Sequence, residues 1–333
     1  MTALGLPVEG LVSARREHAQ EAAARWRVRA YADLGEMLAD PNVRSIHVCV
    51  PPSFHRSIVE AALAAGRAIL CEKPLASSAS DARKMVGAVP HTQFTRVAFN
   101  RRFDGGVQNL RGLVMSGELG EPVCIRGWYE QQWNAEPSTF DWRFDPAAVG
   151  RTRVVGDLGA HWLDLASHVL GVPLRRVSAV LVKPRGEREF LISPGGSTQW
   201  LVPTNEDAFA ALLEYESGAH GFVHCTQLAH GSWDEIRIRV DGTRQSAWWE
   251  SRHPEQVTVA HKLSGIRTLG TDSPSRSFER MVEEFYGSQH TEIGASFEDG
   301  WRNCAAIDAV TDSGLTGGGW IDVVPFNAIA GGR

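Results

Sequence analysis

Three ionisable side chains stand in settings that suit acid–base chemistry. Lys73 sits in Glu72-Lys73-Pro74, directly after the apolar run Ala68-Ile69-Leu70. Burying a lysine is costly unless its charge has a use, and Glu72 is beside it. Pro74 pushes Lys73 out of helical geometry, so the lysine is expected in a fixed extended turn at a strand end. In open α/β sheets that end is where ligands bind. Asp157 and His161 lie in Gly156-Asp157-Leu158-Gly159-Ala160-His161-Trp162-Leu163-Asp164. Their spacing puts both on one face if the segment is helical. Gly156 and Gly159 suit a tight entry at which a ligand approaches the backbone. An imidazole that titrates near neutral pH can take and return a proton. Without further context the plainer readings are an exposed lysine, an N-cap aspartate and a core histidine. Asp164 reads as structural.

Other patterns carry less. His220-xxx-His224 followed by Cys225 has metal-ligand spacing, but no further element with zinc spacing accompanies it. On a strand those histidines simply share a face, and no metal site is expected. No G-x-S-x-G nucleophile elbow is present. Cys49, Cys71, Cys124, Cys225 and Cys304 are scattered without a C-x-x-C pair. That is the pattern of reduced thiols in a cytoplasmic protein.

The elements that must position these residues fall into two textures. The first part alternates strand and helix. Val8 to Ser13 is strand-like and Glu17 to Trp26 has helical spacing. Asp33 can cap the helix carrying Leu34, Met37 and Leu38. Ile46 to Val50 is a buried-type strand stopped by Pro51-Pro52. Ser57 to Ala65 is a helix ended by Gly66. Ala68 to Leu70 is a strand, Ser80 to Val86 a helix, and Arg96 to Phe99 a strand. Such alternation implies a parallel sheet with right-handed crossovers. After Gly120-Glu121-Pro122, alternating segments appear at Val123 to Tyr129, Val177 to Val182, Ala208 to Tyr215, Gly221 to Gln227 and Glu235 to Val240. They predict a large, mostly antiparallel sheet with one open face. A helix over His161 to Leu170 interrupts them, and Arg185 to Ser197 reads as an exposed loop. Asp299 to Ser313 reads as a helix. The fold class is therefore α/β followed by α+β. The expected domains are a dinucleotide-binding unit over 1–120, a sheet domain over 121–298, and a helix and tail over 299–333 that pack back on the first domain.

Composition excludes several functions. The 333 residues are 43% apolar and 22% charged, as in an ordinary two-domain globular protein. A net charge of -5 gives no reason to expect nucleic acid. The longest apolar runs are strand-sized, so no membrane-spanning helix is expected.

These motifs, taken in order, resemble the Gfo/Idh/MocA family, named for glucose–fructose oxidoreductase and inositol dehydrogenase. The resemblance rests on Glu72-Lys73-Pro74 and the Asp157-xxx-His161 pair. Val48-Cys49-Val50-Pro51-Pro52-Ser53-Phe54-His55, Phe99-Asn100-Arg101-Arg102-Phe103, Gly117-Glu118-Leu119-Gly120, Asp141-Trp142-Arg143 and Phe297-Glu298-Asp299-Gly300 add to it. The resemblance implies an NAD(P)-dependent oxidoreductase acting on a sugar, cyclitol or polyol. It makes Lys73 the lysine that hydrogen-bonds the reacting hydroxyl, His161 the proton acceptor and Asp157 its partner. It places Pro51, Pro52, His55, Glu72, Lys73 and Arg102 beside the cofactor, with Pro52 replacing the family's usual Asn. Trp142, Arg143 and Trp162 match a sugar-acting branch, as do Arg153, Asn205-Glu206-Asp207 and Thr226-Gln227. Aromatic faces and Arg donors suit polyhydroxylated substrates.

Cofactor selectivity is read after the second strand, where an acid favours NAD and an Arg accommodates the NADP 2′-phosphate. Here Ser13-Ala14-Arg15-Arg16 contains no acid, which favours NADP, with NAD as the other possibility. The family opens with a strand, a G-x-G-x-x-G turn and a helix that cradle the pyrophosphate. Met1 to Gly5 reads as the tail of that helix, and Gly5 and Gly10 do not fit the motif. One reading is that the natural protein begins one strand–helix unit, about 20–30 residues, upstream. The other is a non-catalytic binding or regulatory protein on the same scaffold. Losing the central strand splits the sheet and exposes two edges. A chain living that way should also have lost Lys73, Asp157 and His161, so the first reading is favoured. The 333-residue chain is then expected to bind NADP(H) poorly. The open sheet face, finally, predicts a homodimer or homotetramer.

Overall fold

The computed structural model describes residues 4–135, 142–183, 188–191, 198–201, 203–287 and 291–324. The first domain carries β1 (Gly10–Leu11), α1 (Arg16–Trp26), β2 (Arg29–Ala30), α2 (Leu34–Ala39), β3 (Ser45–Val48), α3 (His55–Ala64), β4 (Ala68–Cys71), α4 (Ala79–Ala88), β5 (Thr95–Val97) and α5 (Gly105–Met115). Local chemistry sets these boundaries. The Asp33 carboxylate accepts from the Glu36 N–H at 2.8 Å and caps α2, while Ser78 caps α4. Gly66 adopts a positive φ of 71° just past the end of α3, a conformation glycine enters without steric cost. Val48, Val59, Ala62, Ile69, Cys71, Ala82 and Met85 are buried between these elements.

The parallel sheet of this domain is in two pieces. β1 pairs with β2, and β3, β4 and β5 form a separate three-stranded sheet. Among the described residues no strand joins β1 to β3. The division falls where the first strand stands in the 3-2-1-4-5-6 order.

The second domain carries β6 (Pro122–Glu130), α6 (Pro146–Val149), α7 (Ala160–Leu170), β7 (Leu174–Val182), β8 (Arg188–Leu191), β9 (Thr198–Leu201), β10 (Ala208–Tyr215), β11 (His220–Thr226), β12 (Glu235–Gly242), β13 (Ser246–Glu250), β14 (Gln256–His261) and β15 (Gly265–Gly270). Then follow α8 (Ser277–Tyr286), α9 (Phe297–Leu315) and β16 (Ile321–Asp322). Nine strands form one sheet in the order β15-β14-β13-β12-β6-β11-β10-β7-β16. β6 and β11 run parallel and the other neighbours antiparallel. Alternation sends Phe209, Leu213, Val223, Cys225 and Ile238 into the core beneath α5, α7 and α9. It leaves Val180, Val182, Leu212 and Phe222 on the opposite, exposed face.

Three expectations need correction. Arg185 to Ser197, read as a loop, includes β8, which pairs with β9 as an antiparallel hairpin. The alternation in Arg-Glu-Phe-Leu and Thr-Gln-Trp-Leu is too short to stand out beside Gly/Pro/Ser-rich neighbours; the rest of that stretch lies outside the described residues. The tail does not simply return to the first domain. α9 packs on α4 and β5 but also on β7, and β16 adds to the edge of the large sheet. Two glycines permit this double contact. A Cβ at Gly300 would meet Val97 Cγ2 at 2.8 Å and Leu75 Cβ at 2.9 Å, and one at Gly314 would meet Leu181 Cγ at 2.4 Å. Finally, α8, placed by sequence in the sheet domain, lies against the first. The Tyr286 hydroxyl is 2.8 Å from Ser45 Oγ and 3.0 Å from His47 Nε2.

Candidate active site

Lys73 leaves the end of β4 through a cis bond to Pro74. Its ammonium crosses to the second domain, donating to Asp157 Oδ1 at 2.7 Å and to the Asp157 carbonyl at 3.0 Å. Both side chains are largely buried. Asp157 stands on a π-helical turn, Val155–Gly159, that leads into α7. Glu206 anchors the start of that turn: its buried carboxylate accepts from the Arg153 N–H at 3.0 Å and the Val155 N–H at 2.9 Å. Arg153 in turn is held by the Glu206 carbonyl and the Asp207 carboxylate. The two glycines divide the labour. Gly156 faces the cleft, whereas a Cβ at Gly159 would press on the Phe209 ring at 3.0 Å.

Burial works to raise the Asp157 carboxyl, but the Lys73 and Arg143 cations outweigh it and hold it below the usual carboxylate range. For His161 burial comes first, and the charges of Lys73 and Arg101 add to it; Asp157 opposes them. The result is an imidazole well below its ordinary pKa, neutral at neutral pH, which is the form that accepts a proton. Its ring lies edge-on to Phe99 and Tyr129, each centroid 6.1 Å away, and Nδ1 is buried without a partner among the described residues. Glu72 accepts from the Lys73 N–H at 3.2 Å; burial raises its carboxyl, with the Lys73 charge opposing.

A cleft of about 690 Å³ runs along the carboxyl ends of β1, β3 and β4. Ser13, Arg15 and His18 line one end, Cys49 to Pro52 the middle, and Glu72, Lys73, Gly156 and Asp157 the other. Trp142 and Arg143 form its outer wall. The Arg143 guanidinium stacks 4.5 Å above the Trp142 ring, with Nε 3.5 Å from Asp157 Oδ2. Asp141, beside them in sequence, lies outside the described residues. The cleft therefore joins Ser13, Arg15, Pro51, Pro52, Glu72, Lys73, Asp157, Trp142 and Arg143. Among the described residues none supplies a glycine-rich turn along it.

His161 is not among the residues that line the cleft, and four further residues expected here stand elsewhere. Arg16 is the first residue of α1 and does not line the cleft. His55 is fully buried, with its ring nitrogens 2.8 Å from the Val50 carbonyl and 3.1 Å from the Leu75 carbonyl. It braces the Pro51-Pro52 turn from behind and has no ring nitrogen left for a cofactor. Arg102 is committed to a buried bidentate pair with Asp164 at 2.6 and 2.8 Å. Trp162 is fully buried in the core, its Nε1 donating to the Arg237 carbonyl at 3.0 Å. Motif matching cannot tell a residue that touches a ligand from its neighbour one helical step away. His220 and His224 lie on the open face against Glu214 and Glu130, while Cys225 points into the core. Missing from the expected site were Gln227, which donates to Asp157 Oδ2 at 3.1 Å, and Glu206. The sequence carried both in motifs but gave neither a role.

Comparison with known proteins agrees with this fold. Residues 3–98 match an oxidoreductase family with an NAD-binding Rossmann fold, and residues 107–248 match the GFO/IDH/MocA C-terminal domain. Levoglucosan dehydrogenase of Pseudarthrobacter phenanthrenivorans is 28% identical over 97% of this chain and 91% of its own length. D-apiose dehydrogenase of Rhizobium rhizogenes is 27% identical over 87% of this chain and 82% of its own. A solved structure of levoglucosan dehydrogenase in complex with NADH and L-sorbose superposes with a TM-score of 0.86 at 27% identity, covering 96% of this chain and 90% of that one.

Proposed function

Because the chain belongs to the Gfo/Idh/MocA family of NAD-binding oxidoreductases, we propose that it transfers hydride between a nicotinamide cofactor and a sugar, cyclitol or related polyol. The observation that carries this reading is the Lys73–Asp157 contact at 2.7 Å, which joins the two domains at the head of the cleft. It also argues against a non-catalytic scaffold, since a buried ion pair is costly to keep without a use.

A nicotinamide bound beside Lys73 supplies the acceptor, or the donor, for a carbon-bound hydrogen. The chain's own residues do the rest. Lys73 has three N–H donors, of which Asp157 takes two. The third meets no acceptor among the described residues and can serve the reacting hydroxyl. His161, held neutral, takes the hydroxyl proton in this reading. Trp142 offers a flat apolar face and Arg143 a donor to the remaining hydroxyls. The test is a panel of pyranoses, cyclitols and open-chain polyols with each coenzyme, followed by the absorbance of reduced nicotinamide. Turnover of at least one polyol supports the reading, and turnover confined to non-polyol alcohols or acids contradicts it.

For the coenzyme, NADP is the first reading because Arg15 is exposed at the Ser13 end of the cleft and no acid accompanies it. NAD is the second, favoured by the NADH bound in the similar levoglucosan dehydrogenase structure. Arg15→Ala should erode a preference for NADP by about tenfold or more, the worth of a charge-assisted hydrogen bond. An unchanged ratio of kcat/KM for the two coenzymes contradicts that role.

A further inference from the structure

Asp157 is hydrogen-bonded from two sides, and Arg143 Nε stands 3.5 Å from Oδ2 as a longer ionic contact. Lys73 Nζ donates to Oδ1, and Gln227 Nε2 donates to Oδ2. Gln227 follows β11 and is fully buried. Its main chain is pinned as well: its N–H donates to the Asp207 carbonyl at 3.2 Å, and its carbonyl accepts from the Asn134 N–H at 3.2 Å. An ionised carboxylate only accepts, so the amide nitrogen must face Asp157. Gln227 Oε1 is then buried without a partner among the described residues. A buried acceptor left unpaired costs stability that an apolar side chain of the same shape would avoid. The glutamine is worth that cost only if its donor matters.

A carboxylate gripped at one oxygen can swing about its Cβ–Cγ bond, whereas one gripped at both is fixed in plane. Fixing Asp157 fixes Lys73 Nζ, whose contacts to Oδ1 and to the Asp157 carbonyl set the direction of its third N–H. We propose that Gln227 is a positioning residue of the reaction: its amide orients the Asp157 carboxylate, and through it the Lys73 proton that meets the substrate. This rests on the assignment of Asp157 and Lys73 made under the proposed function.

Two variants test it. Gln227→Met keeps length and shape but removes the donor. It should lower kcat about 10–100-fold, the range for losing a hydrogen bond to a charged group, with KM for the coenzyme unchanged. Gln227→Glu sets a second carboxylate against Asp157, and two carboxylates so close cannot both ionise. That variant should be weak at neutral pH and gain activity as pH falls, because the protonated glutamate donates as the amide did. A pH profile parallel to that of the wild type overturns the proposal. A readout that needs no turnover is the NMR titration of carbon-13-labelled aspartate, with Asp157 assigned through Asp157→Asn. The Asp157 midpoint should rise in Gln227→Met, and an unchanged midpoint overturns the proposal. If Asp157→Asn itself kept full turnover, the active-site reading would fail, while the titration would still decide whether Gln227 governs the carboxylate.

Discussion

The proposed site of Lys73, Asp157 and His161 rests on one long cation that reaches across two domains to one buried carboxylate. In that setting the lysine charge does two jobs: it outweighs burial to hold Asp157 ionised, and it adds to the burial that keeps His161 neutral. Lys73→Ala and His161→Ala should each lower kcat by about 10²–10⁴-fold, the usual worth of a general acid or base, with little change in coenzyme affinity. Steady-state kinetics paired with calorimetric titration of the coenzyme checks the split, and near-normal kcat in both variants contradicts the assignment. The sequence singles out these three residues by local settings (proline after Lys73, glycines around Asp157, helical spacing to His161), and their roles follow only from the family resemblance. His55, Arg102 and Trp162 also stand in segments that resemble the family, yet each is turned inward by a partner distant in sequence: the Leu75 carbonyl, Asp164 and the Arg237 carbonyl. Nothing local encodes those pairings.

The elements show the same division. Strands with clean alternation, such as Ala208–Tyr215, lie where the pattern places them. Strands β13 to β15 were not anticipated: β15 is exposed along almost its whole length, whereas β13 and β14 bury alternate residues but only over 5 and 6 residues. α9 is the element that joins the domains, and its closeness to each depends on a missing side chain. Gly300→Ala should destabilise the protein by about 1–3 kcal/mol, the usual cost of overpacking, since Val97 and Leu75 must both give way. Denaturant unfolding measures this, and an unchanged midpoint would mean that the helix shifts freely. α7 carries a second testable feature. Burial, then the Arg102 and Arg111 charges, pull the His168 imidazole down to about 2. Its folded pKa lies below the unfolded value near 6.5, so below that pH the unfolded chain takes up a proton that the folded chain refuses. Relative to His168→Gln, wild-type stability should therefore fall with pH below about 6.5, by up to ~1.4 kcal/mol per pH unit. Parallel stability curves for the two proteins would contradict the buried neutral state.

At the scale of the whole molecule, the large sheet covers one face with helices and leaves Val180, Val182, Leu212 and Phe222 on the other. An apolar face of this extent normally meets a partner, and a second copy of the chain meeting it face to face is the assembly proposed here. Light scattering at micromolar concentration should give a dimer or tetramer, and Leu212→Glu with Phe222→Glu should shift it toward monomer. A monomer mass for the unaltered protein contradicts the proposal. No helix among the described residues is long and apolar enough to cross a membrane. The open face was legible from alternation, whereas the reach of Lys73 across the cleft was not, because it depends on how the two domains stand together. The central claim is hydride transfer at the point where they meet. Its most direct test uses a polyol that the coenzyme panel finds to be turned over, deuterated at the reacting carbon and incubated with oxidised coenzyme. The account predicts deuterium on the reduced nicotinamide and its loss, in step with turnover, in Lys73→Ala. Reduced coenzyme without deuterium, or full transfer by the Lys73 variant, would contradict it.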